Sequence, residues 1–473
     1  YRSGFTREMS TANFNSSASS GALLNGQIIG SERAMADGRA GLMQFPFWMW
    51  THSAGLGQEY IDHYYWAIAT AANKNFADFC AQPEDQLAGW SIVTKTINDL
   101  AGGYHPGLKR LLGPASRTYY EHVLGQQDGL YHILHVLSPQ GALSAVESRR
   151  LPALTAARDA NGNAPQPISA WGHDYPAADV ALQSLSGPWA DPWITELVDK
   201  SLPWSLYAEK EGDPVVTWFG QNYGLTSIRS KPQRLHAMGQ WRRGATRPES
   251  MRDLGTLDLR IGFNQTQIAN DGEGVISQQG LYRCFQVRNR LIMLARPQAN
   301  VIAQQAGEHA FGSRRLPAQP IHSVQCTAAL FDYEAPAPSW EIYADDRRID
   351  SLPATASQGQ TILVHDGVSY LALRPLPTDN LGRDADITLE AAQPQTEPYH
   401  EAVNIQPALL VHANFYRRDA ALDAEALKKL DGMQSGFVVE MGDQAEYGSF
   451  EAFRAHIRAA RLAGDKGRLT YAS

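Results

Sequence analysis

The chain has 473 residues, of which 43% are hydrophobic, so it can supply apolar cores for about two to four domains. Only 19% of the residues are charged and no long run carries one sign, which excludes a largely disordered protein. The net charge of −8 disfavours a general attraction to nucleic acid, and no stretch of about 20 apolar residues predicts a membrane span.

The first part of the chain has the apolar spacing of helices. Residues 1–57 mix small polar residues with an aromatic run, and they predict loops around one helix near 31–43. Apolar residues recur at helical spacing over 58–80, and another helix is predicted from Pro83 to about Gly102. Further helices are predicted at 116–124, 130–137, 142–157, 176–185 and 191–202. These segments indicate helical hairpins.

Past residue 214 the apolar period becomes that of strands. Apolar residues alternate with polar ones from Leu257 to Phe263, which predicts a strand with one side on a core and the other in solvent. Other strands are predicted at 280–287, 290–295, 323–331, 340–344, 361–364, 368–373 and 408–416, with a final helix at 449–462. Turn signals between them favour antiparallel hairpins. The sequence therefore predicts a helical domain over 1–210 and an antiparallel β-rich domain over 211–473.

The cysteines and the start of the chain bear on its compartment. Cys80, Cys284 and Cys326 are too few for a disulfide framework, although one bridge between Cys284 and Cys326 is compatible with the sequence. The chain begins at Tyr1 without a methionine, so we expect that a preceding segment, such as a signal peptide, is missing. A secreted or periplasmic location is the corresponding prediction.

Common catalytic signatures are absent from the sequence. It contains no GxSxG of serine hydrolases, no HExxH of zinc proteases, no phosphate-binding GxxxxGK(S/T) and no GxGxxG before a helix. His132 and His135 could share one side of a helix, but no acidic third ligand lies nearby in the sequence. We therefore predict no metal site.

One candidate site segment, 218–229, lies where helices give way to strands, and clefts form at such boundaries. It carries Trp218, Asn222, Tyr223 and Arg229, and glycines beside them allow a tight turn. Asn222 and Tyr223 can act together only if this segment is a turn, because neighbours on a strand point to opposite faces. A plain turn with a capping asparagine and a core tyrosine explains the same pattern.

A second candidate segment interrupts a predicted helix with polar residues between glycines. It contains Gln127, Tyr131 and His132. Such breaks cost stability, which favours a functional use, although an ordinary buried histidine is the alternative. The loops at His105 and Trp50 are similar in character.

The chain is acidic overall but contains a basic stretch between Ser227 and Asp253. Its basic residues are Arg229, Lys231, Arg234, Arg242, Arg243, Arg247 and Arg252, with Glu249 as the single interior acid. A solvated strand surface and an anion-facing cleft wall both fit this stretch.

A helical domain followed by an antiparallel β domain resembles the polysaccharide lyases built as an incomplete (α/α) toroid plus a β-sandwich. These include hyaluronate and chondroitin lyases, heparinase II/III-like enzymes and oligoalginate lyases. The resemblance covers most of the chain as architecture and is not a motif match. It implies an α+β multidomain fold, with an N-terminal incomplete toroid followed by an antiparallel β-sandwich, and β-elimination on an anionic, uronic-acid-containing polysaccharide.

The resemblance also implies roles for the candidate residues. Elimination needs groups that neutralise the uronate carboxylate and groups that move protons. Asn222 and Arg229 match the neutralising type, and Tyr223 and His132 match the proton carriers. The residues implied in substrate binding are Trp50, Trp218, Gln127, Tyr131, His105 and Arg242. No cofactor is implied, a structural cation is compatible, and the oligomeric state stays open.

Two other functions stay open. A glycoside hydrolase needs two carboxylates about 5 to 9.5 Å apart, for which Glu59, Asp62, Glu121 and Asp128 are candidates. A noncatalytic glycan-binding surface protein would use the aromatic and basic residues without turnover.

Overall fold

The structure is a computed structural model. It describes residues 12–51, 63–105, 107–112, 193–198, 213–228, 237–246, 248, 253–264, 280–311, 314–332, 340–391, 407–465 and 468–472.

In the part of the chain that the structure describes, four helices come first and pack as two hairpins. They are α1 (Ala12–Ile29), α2 (Glu32–Thr51), α3 (His63–Phe79) and α4 (Pro83–Gly103). Leu23, Leu42, Phe76 and Ile92 form a shared apolar core between the hairpins. An ion pair joins α2 to α4, since Arg39 Nε donates to Asp85 Oδ1 at 2.8 Å.

The helix predictions hold best where apolar periodicity is strong. Helices α3 and α4 confirm the predictions for 58–80 and for the segment after Pro83. Helix α2 extends the predicted helix at 31–43 to Thr51, and α1 replaces a predicted loop. Helix α1 is rich in Ser, Asn and Gly, which have low helix propensity, so its tertiary packing outweighs that propensity. The helices predicted between 116 and 185 lie outside the described residues, and the toroid remains a prediction.

The described residues of the β part form two large sheets and three small hairpins. The first sheet contains β3 (Trp193–Val198), β4 (Asp213–Phe219), β5 (Tyr223–Ile228), β6 (Ala237–Arg242), β7 (Leu254–Phe263), β12 (Ser323–Asp332), β15 (Ala354–Ala356), β18 (Gly382–Arg383), β19 (Ile387–Glu390) and β20 (Pro407–Arg417). The second contains β8 (Gly280–Val287), β9 (Arg290–Pro297), β13 (Glu341–Ala344), β14 (Arg347–Ile349), β16 (Ile362–Asp366), β17 (Ser369–Pro375) and β21 (Ser435–Asp443). The hairpins are β1 (Tyr104–His105) with β2 (Arg110–Leu111), β10 (His309–Phe311) with β11 (Arg314–Leu316), and β22 (Arg461–Asp465) with β23 (Arg468–Ala472).

Short helices complete the β part. They are α5 (Ala299–Ala306), α6 (Ala424–Lys428) with a following 3₁₀ turn (Lys429–Gly432), α7 (Gln444–Tyr447) and α8 (Phe450–Ala459). The strand order is β15-β19-β20-β12-β7-β6-β5-β4-β3 in the first sheet, where β18 pairs with β20, and β14-β13-β16-β17-β21-β9-β8 in the second. Neighbouring strands pair antiparallel, apart from β18 with β20.

The two sheets pack face to face around one apolar core. Leu257 and Ile261 of β7 meet Met293 of β9 and Val439 and Met441 of β21 in this core. The predicted alternation in β7 is confirmed on this side. The opposite side of β7 does not face solvent as predicted, because its polar residues are also buried. These are Thr256, Asp258 and Arg260.

Two predictions at the edges of the β part are corrected. Residues 191–202 were expected to be helical, but β3 occupies 193–198 and pairs antiparallel with β4. Its sequence, Trp-Ile-Thr-Glu-Leu-Val, is rich in residues that favour strands. Helix α8 is confirmed within 449–462, but it ends at Ala459 and β22 follows. A domain boundary near residue 210 stays a prediction, although β3 precedes it.

Cys284 and Cys326 are both free and buried, so the compatible disulfide does not form. In the described helices, no segment is long and apolar enough to cross a membrane.

Gly255 provides a test of the packing between strands. A Cβ at Gly255 would lie 2.2 Å from the ring of Trp241, which is fixed because its Nε1 donates to Asp366 Oδ2 at 2.7 Å. Gly255→Ala should therefore destabilise the sandwich by about 1–3 kcal/mol through overpacking. Gly432→Ala is the control, because nothing lies within 4 Å of the added Cβ. Thermal unfolding of both variants measures the difference, and equal melting temperatures would contradict this packing.

Candidate functional site

The hairpin between β4 and β5 is the centre of the candidate site. Gly220 N donates to Tyr223 O at 2.9 Å and closes the turn through Gln221 and Asn222. Gln221 is exposed, whereas Asn222 is only 4% exposed. Asn222 therefore lies in a turn, and Tyr223 is the first residue of the following strand.

Residues 104–105 and 107–112, which follow α4, pack directly on this hairpin. Gly107 lies so close that an added Cβ would be 2.8 Å from Gln221 O. A Cβ at Gly224 would be 2.1 Å from Leu112 Cδ1, and Leu112 is fully buried. The segment that follows α4 therefore packs closely against the end of the β-sandwich. We call this contact region the junction, made of 104–105, 107–112, 218–224, Arg242, Arg288, Asp443 and Glu446.

His105 fastens the junction through both ring nitrogens. Its Nδ1 accepts hydrogen bonds from Gly107 N at 3.1 Å and Leu108 N at 3.2 Å. Nε2 therefore carries the proton, and it lies 2.7 Å from Gly220 O and 3.0 Å from Tyr223 O. Burial lowers the pKa of His105 to about 4, so the ring is neutral at physiological pH. The predicted substrate-binding role of His105 is replaced by a structural one, because both nitrogens are occupied and the residue is 3% exposed.

Asn222 is held by its backbone while its side-chain oxygen has no partner. Asn222 N donates to Asp443 Oδ2 at 2.9 Å, and Asn222 O accepts from Arg242 N at 2.9 Å. Within the described part of the chain, the buried Asn222 Oδ1 accepts no hydrogen bond. An orphaned buried amide oxygen costs about 1–3 kcal/mol, and such groups need a specific explanation. A ligand that donates to this oxygen, and accepts from the same amide, would provide one.

Tyr223 lies in the core, and its hydroxyl binds Glu446, which is exposed. The residue is 0% exposed. Its hydroxyl accepts from Trp218 Nε1 at 3.2 Å and donates to Glu446 Oε2 at 2.8 Å. Burial first, and then the nearby Glu446, raise the pKa of Tyr223 well above its usual value. The predicted role of Tyr223 as a base that touches substrate does not fit a buried, neutral hydroxyl, and the geometry makes it a support for Glu446.

Glu446 is the titratable group of the junction that reaches solvent. Burial of its carboxyl end raises its pKa most, the hydrogen bond from Tyr223 lowers it, and Asp443 and Glu440 raise it further. Such a raised pKa suits a carboxylate to proton transfer nearer neutral pH. Arg288 joins the junction through Trp218, with its guanidinium 5.7 Å from the centre of the Trp218 ring. Arg288 has no carboxylate partner among the residues that the structure describes.

The structure brings together five of the ten residues that the sequence singles out. They are His105, Trp218, Asn222, Tyr223 and Arg242. The backbone of Trp50 lies in α2. Four others, His132, Arg229, Gln127 and Tyr131, lie outside the described residues, as do the hydrolase candidates Glu59, Asp62, Glu121 and Asp128.

Sequence reasoning missed Asp443, Glu446 and Arg288. A local signal existed for the first two, because Asp443 and Glu446 have the spacing of a helix capping box. Asp443 Oδ1 indeed accepts from Glu446 N at 2.8 Å at the start of α7. Nothing in the sequence indicates that this short helix meets a hairpin more than 200 residues earlier.

A second polar region was also missed, on the outer side of the first sheet. His412 Nδ1 lies 2.7 Å from Thr327 Oγ1, and its Nε2 lies 2.9 Å from Glu390 Oε1. Arg417 Nη2 binds the other oxygen of Glu390 at 2.7 Å. Burial lowers the pKa of His412 although Glu390 opposes it. Because Thr327 and His412 are fully buried, the arrangement stabilises the sheet.

Among the described residues, no group of three or more His, Cys, Asp or Glu side chains is arranged to hold a metal ion.

Comparisons with known proteins give limited information. No family model and no curated protein matches the chain. A crystal structure of heparinase III is similar over 97% of this chain, with a TM-score of 0.38 and 7% sequence identity. The chain spans 65% of the length of that heparinase III chain. A similarity of this strength carries no argument about activity, so the proposals below rest on the chain itself.

His105 provides a test of the junction. His105→Ala removes hydrogen bonds to four backbone groups and should destabilise the protein by about 2–4 kcal/mol. Because the folded pKa lies below the unfolded value of 6.5, the unfolded state binds the extra proton between pH 4 and 6.5. This contribution is present above pH 6.5 and is lost at up to about 1.4 kcal/mol per pH unit as the pH falls towards 4.

Denaturant unfolding at several pH values measures the gap in the free energy of unfolding between wild type and His105→Ala. The gap should be constant above pH 6.5 and should shrink below it. The exposed His322, replaced by alanine, is the control and should leave stability unchanged. A gap that does not depend on pH would contradict the neutral, buried state of His105.

Proposed function

We propose that this chain is a polysaccharide lyase that cleaves a uronic-acid-containing polysaccharide by β-elimination, with the junction as one wall of its cleft. The observation that carries the proposal is the assembly of Asn222, Arg242 and Trp218 beside the exposed Glu446. Groups suited to an anionic sugar thus meet a proton-transfer group where helical and β segments join. The order of helices before an antiparallel sandwich also supports it.

In the proposed reaction, the Asn222 amide and a guanidinium bind the uronate carboxylate. Elimination builds negative charge on that group, so hydrogen-bond donors there stabilise the intermediate. Arg242 and Arg288 are the proposed cations, and Trp218, which already lies against Arg288, is the proposed stacking surface for a sugar ring. Arg229 remains a proposed neutralising residue.

Glu446 is the proposed acceptor of the C5 proton, in place of Tyr223. Tyr223 positions the Glu446 carboxylate through its 2.8 Å hydrogen bond. The group that returns a proton to the leaving oxygen is proposed to be His132, as the resemblance to toroidal lyases implies. A structural cation and a secreted or periplasmic location remain proposals of the same kind.

A hydrolase is the second candidate, but its geometry has less support. Asp443 and Glu446 are neighbouring carboxylates, yet Asp443 is 1% exposed and binds two backbone N–H groups. It therefore has little freedom to act on a substrate. A glycan-binding protein without turnover would not need the raised pKa of Glu446.

Asn222→Ala tests the neutralising group. It should lower the rate of elimination by about 10²–10³-fold, the usual effect of losing one donor to a developing negative charge. Folding should survive, since the hydrogen bonds of Asn222 come from its backbone. The assay follows the ultraviolet absorbance of the unsaturated uronate from heparan sulfate, hyaluronan, chondroitin sulfate, alginate and polygalacturonate. The control is Gln304→Ala, at an exposed glutamine of α5 outside the junction, and an Asn222→Ala rate equal to that of this control would remove Asn222 from the mechanism.

Glu446→Gln tests the proton acceptor by its pH profile. An acceptor must be deprotonated, so wild-type activity should fall as the pH drops through the raised pKa of Glu446, above the usual 4.5 of a glutamate. The variant should lose most activity and this acidic limb, while still binding the polymer. New reducing ends without ultraviolet absorbance in the wild type would instead indicate a hydrolase. Full activity in Glu446→Gln would show that another group takes the proton.

A further inference from the structure

A cavity lies on the outer face of the second sheet, away from the junction. It has a volume of about 360 Å³ and is bounded by the β13–β14 turn, β16, β17 and α8. The junction lies at the Ser369 end of β17, because Ser369 pairs with Asp443. Arg374 lies five residues further along β17, which places it about 17 Å away at the usual rise per residue of a strand.

Three arginines line this cavity, and two aspartates accompany them. The arginines are Arg374, Arg454 and Arg458. Asp346 is shared, since Arg454 Nη2 lies 3.2 Å from its Oδ1 and Arg458 binds the same oxygen. Asp345 Oδ1 accepts from Thr361 N at 2.9 Å. Neither carboxylate binds Arg374.

Two guanidinium nitrogens at the cavity are buried without a partner. Arg374 Nε and Arg454 Nε donate no hydrogen bond to any described residue. Arg374 also forms no ion pair within the described ranges. Arg454 is 9% exposed, and its guanidinium lies 4.3 Å from the centre of the Tyr343 ring, which limits its movement. The cavity is therefore lined by two guanidinium groups whose Nε atoms have no acceptor among the described residues.

The chemistry of these donors defines the ligand. A guanidinium offers a planar fork of N–H groups that matches the paired oxygens of a carboxylate, sulfate or phosphate. A volume of about 360 Å³ lies at the small end of the range for ligand pockets, which suits a free oxyanion or one acidic sugar. We propose that this cavity is a binding site for an oxyanion, with Arg374 as its main donor. The proposal goes beyond the lyase activity and does not depend on it.

Titration calorimetry on the full chain tests the site, with sodium sulfate, sodium phosphate and sodium glucuronate as probes and sodium chloride at equal ionic strength as the reference. Wild type should bind at least one oxyanion and should gain melting temperature with it beyond the effect of chloride. Arg374→Gln should weaken binding by at least about tenfold. Tighter binding of glucuronate assigns a sugar-borne carboxylate, and tighter binding of sulfate or phosphate assigns an inorganic oxyanion.

Two further variants keep the test decisive. Arg374→Lys retains the charge but not the fork, so its affinity should fall between those of wild type and Arg374→Gln, even if the glutamine variant folds poorly. Arg348→Gln is the matched control, because Arg348 is an exposed arginine of the neighbouring β14 and lies outside the cavity lining. The proposal is overturned if no oxyanion binds more tightly than chloride, or if Arg374→Gln and Arg374→Lys bind like wild type.

Discussion

The buried carboxylate of Asp443 is the contact on which the candidate site depends. Asp443 is the last residue of β21 in the second sheet. Its carboxylate accepts one hydrogen bond from Asn222 N, in the turn between β4 and β5, and one from Glu446 N at the start of α7. A carboxylate bound to two N–H groups is a strong and directional connection. Because Asp443 fixes both partners, the turn at Asn222 and the helix carrying Glu446 meet beside the Tyr223 hydroxyl.

The residues around Asp443 fall into two groups, those that build the junction and those that can reach a ligand. His105 and Tyr223 are buried, and the polar atoms of their side chains are hydrogen-bonded. They therefore hold the segment after α4 and the β4–β5 hairpin in place. Glu446 and Arg288 are exposed. Asn222 stands between these groups, since its backbone is structural and its amide oxygen has no partner among the described residues. Residues that bind a ligand are placed precisely when rigid, buried residues such as His105 and Tyr223 support them.

Local periodicity carried most of what could be predicted from the sequence. Apolar alternation in β7 and helical spacing in α3 reflect contacts close in the chain, and the structure has both. Helix α1 was missed because its packing outweighs its low helix propensity, and strand β3 was predicted as a helix although its residues favour strands. The roles of His105 and Tyr223 were out of reach for a similar reason. Their environments come from contacts 115 and 223 residues away, which no local pattern records.

Binding of the acidic group of a sugar at the junction can be observed in a crystal. The crystal would contain the full chain as the Glu446→Gln variant, which keeps Asn222 but lacks the proposed proton acceptor, with a uronate oligosaccharide. We expect the uronate carboxylate within hydrogen-bonding distance of the Asn222 amide, with a sugar ring over Trp218. A bound oligosaccharide elsewhere, with the Asn222 amide covered by other parts of the chain, would contradict it.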